Sequence, residues 1–457
     1  MIRRVLVANR GEIAARVIRT CARLGIETVL AASEADADSV PARLANEVRV
    51  IGPAPAAQSY LDADRIVASA RQGQVDAVHP GYGFLSENAR LAAACEAAGL
   101  VFIGPTPAQL AALGDKLEAR RHAAAAGLPV VPGGSVETFD DARRVAREIG
   151  MPLLIKAVGG GGGRGMRLVR EAGELEDAVG TAMAEAAAAF GDARIYIERY
   201  VEQGRHVEIQ VLGDGREVIH LGTRDCSIQR RYQKLIEEAP APALPDAMRE
   251  GLHRGAVELG RHLGYRGLGT VECLVDLERE RCYFLEMNAR IQVEHPVTEA
   301  ITGLDLVAEQ IAVAGGGRLP LAQAEVAFAG HAIECRINAE DPEHDFRPSP
   351  GTVRAAWWPV GPGVRVDTHV VSGTVVPPHY DSLVGKVIAT GDDRDAALRR
   401  MRAALGRLRL DGIQCNAALH AEVMADPEFA RGGVDTGYFP AFLARRAEIE
   451  ELSDGPD

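Results

Sequence analysis

The sequence predicts an α/β protein with an α+β C-terminal part: a doubly wound N-terminal domain, a small inserted domain and a larger domain of antiparallel strands. Three observations carry this. The chain opens on a short apolar run, a helical period and a second apolar run, the order of a βαβ unit. Further on, two apolar runs are joined by five consecutive glycines, Gly159 to Gly163. From Leu285 to Glu294 apolar and polar residues alternate without a break, the period of an extended segment with one buried face.

Size and composition narrow the options. A chain of 457 residues exceeds a single core, since domains hold roughly 100–200 residues each. Its 47% apolar and 25% charged residues are those of a globular protein, with no apolar run near the roughly 18–20 residues of a membrane helix. The run Val5-Leu6-Val7-Ala8 is too short for a signal-peptide core. Seven cysteines at irregular spacing, without a Cys-x-x-Cys pair, argue against a disulfide framework or a zinc site. A reducing, cytoplasmic location is expected. The formal net charge of −13 disfavours nucleic acid or an anionic membrane as partner, so a small anionic substrate must be met by a local basic cluster.

In chain order, residues 4–8 read as a buried strand and Asn9-Arg10-Gly11 as a turn. Glu12 to Leu24 has helical spacing (Ile13, Val17, Ile18, Cys21), closed by Gly25, and Ile26 to Ala31 is the second strand. Only Gly11 stands where a dinucleotide fingerprint needs three glycines. Asp76 to His79 ends in the glycine-rich loop Pro80 to Asn88, placed where doubly wound sheets bind ligands. Val101 to Pro107 closes this part, and a helical connector with Gly114-Asp115-Lys116 follows.

Within Pro152 to Val169 the pentaglycine run joins two apolar strands, which makes it a hairpin tip inside a domain. A disordered linker would sit between polar segments. Glycines let backbone N–H groups close over phosphate oxygens, and Lys156 and Arg164 add charge at each end. No Lys-Ser/Thr follows, so this is not a P-loop. A helix at Glu174–Phe190 and strands at 194–201, 206–212 and beyond the Asp214-Gly215 turn come next. Arg224 to Lys234 then reads as a basic, amide-rich loop, a candidate anion site with a solvated charged loop as its alternative.

The even positions of the alternating stretch carry Glu286, Asn288, Arg290, Gln292 and Glu294, spaced roughly 6.5–7 Å apart along an extended strand. Upstream, Thr270 to Val275 is a second strand, and a hairpin turning near Arg279 sets Glu272 nearly opposite Glu286. Like charges facing across a sheet destabilise it, and a divalent cation with hard oxygen ligands relieves them, Mg²⁺ being preferred beside phosphates. His331 to Pro342 is another strand, with Arg336 as its cation. Asp381 and Lys386, further on, read as structural.

Assembled, a βαβ domain, a pentaglycine lid, a basic loop and a Glu…Glu-x-Asn-x-Arg strand resemble the ATP-grasp fold. More closely, EMNARIQVEHPVTE (286–299), KAVGGGGGRGM (156–166), RDCSIQRRYQK (224–234), HPGYGFLSEN (79–88) and ECRINAEDP (334–342) resemble biotin carboxylase over nearly the whole chain. The resemblance implies an N-terminal Rossmann-like domain at 1–110, a connector at 111–130, an ATP-grasp lid at 131–201, a C-terminal domain at 202–446 and a flexible tail at 447–457. It implies that ATP is held by Lys116, Lys156, Glu198, Arg199, Val201, His206, Tyr232 and Leu274, under a lid of Gly162, Gly163, Arg164, Gly165 and Met166. Glu272, Glu286 and Asn288 would hold two Mg²⁺ or Mn²⁺ ions. Lys234, Arg290, Gln292 and the backbone of Val293 would bind bicarbonate, Glu294 would be its general base, and Arg336 would stabilise the biotin enolate.

The implied reaction carboxylates biotin on a separate biotin carboxyl carrier protein, for a carboxyltransferase acting on acetyl-CoA or another acyl-CoA. No Ala-Met-Lys-Met attachment motif is present, the nearest run being Ala247-Met248-Arg249. Family analogy implies a homodimer. Two other readings stay open on sequence alone: an ATP-grasp ligase joining a carboxylate to an amine, and an ATP-binding regulatory subunit without turnover. The sequence departs from the family pattern at Val158, Thr223, Tyr232 and Ala289. Tyr232 stands where a His approaches the nucleotide in many relatives, so Tyr232→His is expected to shift the KM for ATP more than kcat, read by steady-state kinetics.

Overall fold

The computed structural model describes residues 2–158 and 166–453. Its N-terminal layer is a parallel sheet of β1 (Arg4–Val7), β2 (Glu27–Ser33), β3 (Glu47–Gly52), β4 (Ala77–His79) and β5 (Val101–Phe102), in the order β3-β2-β1-β4-β5. Helix α1 (Gly11–Arg23) places Ile13, Val17 and Ile18 against Val5 and Val7, all nearly inaccessible, as their 3.6-residue period predicts. Because β1 lies between β2 and β4, the chain reverses its direction of winding there. The loops leaving β1 and β4 therefore line one crevice. Its further helices include α2 (Ala89–Ala97) and α3 (Lys116–Ala125), whose N-cap Asp115 accepts from the Leu117 and Glu118 amides.

A second, antiparallel sheet is formed by β6 (Gly133–Val136), β7 (Leu153–Ala157), β8 (Arg167–Val169) and β9 (Ile195–Arg199), in the order β6-β9-β7-β8. Helices Phe139–Ile149 and Leu175–Phe190 cover it, with Val136, Val145, Ile155, Val169, Val179 and Ile197 as its own core. The hairpin flanks pair as expected, Leu153 with Val169. The predicted lid residues Gly162, Gly163, Arg164 and Gly165 lie outside the described residues, while Met166 is half-buried at the entry to β8.

The third sheet has eight antiparallel strands: β10 (Gly204–Asp214), β11 (Val218–Arg230), β12 (Gln233–Ala239), β13 (Arg266–Asp276), β14 (Arg281–Asn288), β15 (His331–Asn338), β16 (Val364–Thr368) and β17 (Leu383–Gly391). Their order is β14-β13-β10-β11-β12-β15-β17-β16. On β10 and β13 the odd residues Val207, Ile209, Val211, Val271, Cys273 and Val275 enter one apolar core together with Phe284 and Met287 of β14. The opposite face carries Glu208, Gln210, Thr270 and Glu272, and these are buried too. Helix α4 (His295–Thr302) packs over it, Thr298 accepting from Arg224 at 2.8 Å.

That buried polar face overturns two expectations, and the last helix a third. Arg224 to Lys234 is not a loop but the end of β11 and the start of β12, joined by a turn at Arg231 and Tyr232 with φ of +48° and +65°. Polarity here marks internal pairing, not solvent. The alternating stretch remains a strand only to Asn288; residues 289–294 form a turn that leads into α4. Its even positions are largely enclosed, with Asn288, Gln292 and Glu294 at 8%, 4% and 0% exposure. Nor do residues 447–453 form a tail, because the final helix runs from Tyr438 to Ser453.

Among the described residues no helix is long and apolar enough to cross a membrane. The hairpin of β13 and β14 is seated by Phe284, fully buried in the central core. Phe284→Ala is expected to lower unfolding free energy by about 3–5 kcal/mol, measured by denaturant titration.

Candidate active site

The site grows from the β13–β14 hairpin. Its register pairs Glu272 with Glu286, Val271 with Met287 and Thr270 with Asn288, and then slips, with Cys273 facing Phe284. Leu285 is the extra residue of a β-bulge, and a bulge changes which way side chains point. Instead of joining the core below, Leu285 meets Leu274, Tyr283, Val131 and Val201 in a separate apolar cluster. That cluster gathers two predicted nucleotide contacts, Val201 and Leu274, at the base of the small sheet.

Lys234 is the hub. Its ammonium donates to Glu208 Oε2 at 2.6 Å, Glu272 Oε1 at 2.8 Å and Glu294 Oε1 at 2.7 Å. Burial alone would discharge it, but the three carboxylates hold its pKa well above the usual lysine value. Glu272 and Glu294 are correspondingly held well below the carboxylate range: burial opposes this, and Lys234, aided by His206 at Glu272 and by Arg336 and Arg224 at Glu294, outweighs it. Arg336 bridges onward, Nη2 donating to Glu294 Oε2 at 2.8 Å and Nε to Glu237 Oε1 at 2.5 Å. Burial pushes the Glu237 carboxyl up to about 7, against the pull of Arg336.

The polar row from Asn288 to Gln292 is bound to itself in this structure. Asn288 Nδ2 and Gln292 Nε2 both donate to Glu272 Oε1, at 2.9 and 3.1 Å. Arg290 donates from Nη2 to Asn288 Oδ1 and from Nη1 to Gln292 Oε1, at 2.8 and 3.0 Å. The Val293 amide is aimed by its peptide partner. His295 Nδ1 lies 2.7 Å from the Gln292 carbonyl oxygen, and in a trans peptide the N–H points opposite to the carbonyl. Burial, reinforced by nearby Lys386, Arg16 and Arg365, keeps His295 neutral, its pKa well below normal.

On the nucleotide side, Lys156 pairs with Glu198, and Arg120 Nη1 lies 3.5 Å from the same carboxylate. His206 Nε2 lies 3.0 Å from Glu272 Oε2 while Nδ1 meets Gln229 Nε2 at 2.7 Å. Lys116, in the first turn of α3, has its pKa lowered by burial, with Glu286 opposing. Two predicted residues stand apart. The Arg199 guanidinium turns away to the Ile149 carbonyl, 3.2 Å from Nη2, leaving only its backbone at the end of β9. Tyr232 occupies the β11–β12 turn, 56% exposed.

A divalent cation fits one part of the site. Glu272 and Glu286 face each other in register with the Asn288 amide beside them, a hard oxygen set suited to Mg²⁺ or Mn²⁺. Burial and the Glu272 charge together raise the Glu286 pKa, and a cation would relieve that repulsion. His206, Glu208 and Glu272 also converge, but the Lys234 ammonium already occupies the space between the two carboxylates.

Three residues here were not picked out from sequence. Glu208 accepts from Lys234. Fully buried Arg224 holds Glu208 by Nε at 2.5 Å and spends its remaining donors on Gln210, Thr298 and Thr270. Lys386, expected only to be structural, donates to the Val293 carbonyl at 2.7 Å and lies 3.2 Å from Glu12 of α1. Strand alternation put Glu208 on the polar face of β10; nothing local marks the other two.

A small antiparallel sheet joined to a larger one, whose hairpin carries paired carboxylates and leads into a row of amide and guanidinium donors, defines an ATP-dependent ligase of the ATP-grasp class. Family models agree along the chain: biotin carboxylase N-terminal domain over residues 1–110, the ATP-binding domain of carbamoyl-phosphate synthase L chain over 115–322, and biotin carboxylase C-terminal domain over 334–441. The chain belongs to the biotin carboxylase family. It is 49% identical to the biotin carboxylase of Nostoc sp. over 438 residues, covering 95% of this chain and 98% of that one. With the Pseudomonas aeruginosa biotin carboxylase it shares 50% over 442 residues, 96% and 98% of the two chains.

Solved structures agree. The biotin carboxylase domain dimer of Hydrogenobacter thermophilus 2-oxoglutarate carboxylase, in complex with MgADP, ADP and bicarbonate, superposes with a TM-score of 0.92 at 45% identity, covering 96% of this chain and 98% of that one. Campylobacter jejuni biotin carboxylase in complex with β,γ-ATP gives 0.93 at 43%, covering 97% and 99%.

Removing the hub is expected to be expensive. Lys234→Met removes the cation shared by three buried carboxylates, leaving Glu208 with Arg224, Glu294 with Arg336 and Glu272 with His206 and the Asn288 and Gln292 amides, and should cost about 3–5 kcal/mol of stability near neutral pH. Because Glu272 and Glu294 have depressed pKa values, the stability they gain from Lys234 is present above the unfolded carboxylate pKa and is lost as pH falls through the folded values. The gap between parent and variant in denaturant titrations should therefore narrow in acid.

Proposed function

We propose that the residues around Lys234 carry out ATP- and bicarbonate-dependent carboxylation of biotin, with roles as follows. The observation that carries the reading is Glu294: a fully buried carboxylate, ionised, bracketed by Lys234 and Arg336 and flanked by a row of anion donors. Such a group accepts a proton from a bound acid, and its strength as a base rises when a neighbouring cation turns to another anion. Bicarbonate bound by Lys234, Arg290, Gln292 and the Val293 amide supplies both the proton and that competing charge.

ATP would lie between the small sheet and the hairpin, its adenine on the Val201 and Leu274 cluster and its phosphates near Lys116, Lys156 and His206, with the glycine run of the 131–201 lid closing over them. Glu198 would then exchange its pairing with Lys156 for the nucleotide. Glu272, Glu286 and Asn288 would hold two Mg²⁺ or Mn²⁺ ions, which supply charge neutralisation at the transferring phosphoryl group. Deprotonated by Glu294, bicarbonate attacks the γ-phosphorus and ADP leaves, giving carboxyphosphate. This splits to CO₂ and phosphate in a pocket kept from water. The phosphate takes the ureido N–H proton of biotin, Arg336 stabilises the enolate that results, and the nitrogen attacks CO₂.

The same reading assigns the biotin to a separate carrier protein, the product to a carboxyltransferase and the chain to a homodimer. Seven free cysteines, five of them buried, fit a reducing compartment, for which we propose the cytoplasm.

The test is phosphate release from MgATP with and without bicarbonate and free biotin. Bicarbonate-dependent release stimulated by biotin is expected, with Glu294→Gln lowering it about 10²–10⁴-fold. Turnover indifferent to biotin would point instead to another ATP-grasp ligase.

A further inference from the structure

The loop Pro80 to Asn88 belongs to the N-terminal domain and has no part in the chemistry above. It is held firmly. Asn9 Nδ2 donates to the Pro80 and Tyr82 carbonyl oxygens, both at 2.7 Å. Gly81, at φ +63°, leaves room for that amide, which would stand 2.8 Å from a Cβ. Phe84 stacks on Tyr60 with ring centroids 4.9 Å apart, and Asn88 caps α2 by accepting from the Leu91 amide at 2.9 Å. The residue this scaffold presents is Glu87. Its Oε1 accepts from the Ala289 amide at 2.8 Å and its Oε2 from Arg290 Nε at 2.9 Å.

One carboxylate thus grips the backbone and side chain of consecutive residues, 202 and 203 positions away in sequence. Tying Nε fixes the plane of the guanidinium and leaves both Nη groups facing Asn288 and Gln292. A planar fork aimed this way matches a planar oxyanion. An exposed ion pair is ordinarily worth little, but Arg290 is mostly enclosed, its side chain 19% exposed against 40% for Glu87, and the bond from the Ala289 amide anchors the carboxylate that holds it.

We propose that Glu87 is a positioning residue for bicarbonate: it aims Arg290 at the anion and ties the bicarbonate row to the N-terminal domain. This rests on Arg290 being a bicarbonate ligand. A glutamine at position 87 has a single acceptor oxygen and presents an NH₂ donor to the other N–H, so Glu87→Gln can keep one of the two bonds at most.

The experiment measures KM for bicarbonate and for ATP, and kcat, from bicarbonate-dependent phosphate release by the full chain. Four forms are compared: parent, Glu87→Gln, Arg290→Gln and the double variant. Glu87→Gln should raise the bicarbonate KM about tenfold, the scale of a misaimed ligand, with kcat changed less than about threefold and the ATP KM unmoved. Glu87→Asp, which keeps the charge and can keep the Arg290 pair, should fall between Gln and parent. In the double variant the Glu87 change should add less than about twofold to Arg290→Gln, the non-additivity expected of residues that act together. A Glu87→Gln bicarbonate KM within about twofold of parent, while Arg290→Gln raises it, overturns the proposal alone, as do additive effects or a matching rise in the ATP KM. An Arg290→Gln that leaves the bicarbonate KM unchanged overturns the anion-site reading and the proposal with it.

Discussion

Everything at the site depends on a single ammonium placed among three carboxylates. Without Lys234, Glu208, Glu272 and Glu294 would be three buried like charges, an arrangement whose desolvation and repulsion a fold does not tolerate. With it, and with Arg336 and Arg224, they form an array in which three cations meet three carboxylates. The eight-stranded sheet is built to hold that array. Its lower face is an ordinary apolar core, and its upper face is a second interior made of hydrogen bonds, roofed by the turn at 289–294 and by α4.

Such an array stores the electrostatics of a reaction before any substrate arrives. Fixed donors and charges need no reorganisation at the moment of bond making, and in a water-poor interior they act more strongly than they would at the surface. The same economy explains why the anion-binding row is satisfied internally in this structure. Asn288, Arg290 and Gln292 exchange bonds with one another and with Glu272, so a ligand replaces partners of similar kind and leaves no buried donor unpaired at any stage.

The parts of this arrangement that could be read from sequence are the local ones. Alternation between Leu285 and Glu294, a charged turn near Arg279 and the matching strand at 270–275 set Glu272 opposite Glu286, and the βαβ opening declared the parallel sheet. What could not be read depends on contacts between distant segments. Arg224 to Lys234 has the composition of a wet loop, and only Glu208, Thr270 and Thr298, contributed by three other elements, bury the Arg224 end of it in the sheet. Lys386 acquires its partner 93 positions away. The Arg199 side chain follows an acceptor at Ile149 that no motif announces. The break at Leu285 is invisible for a different reason: a bulge preserves the alternation of the sequence while altering the faces to which it maps.

That bulge shapes how the site can vary. Because Leu285 is supernumerary in the pairing, the apolar floor it shares with Leu274 and the carboxylate pair beside it are set by the number of residues in the hairpin as much as by their identity. Exchanging one aliphatic side chain for another leaves the frame intact. An insertion or deletion between Arg281 and Glu286 would instead rephase the strand, sending a carboxylate toward the core and a hydrocarbon toward Glu272. Within this segment the geometry depends on chain length first, and side-chain identity is the freer variable.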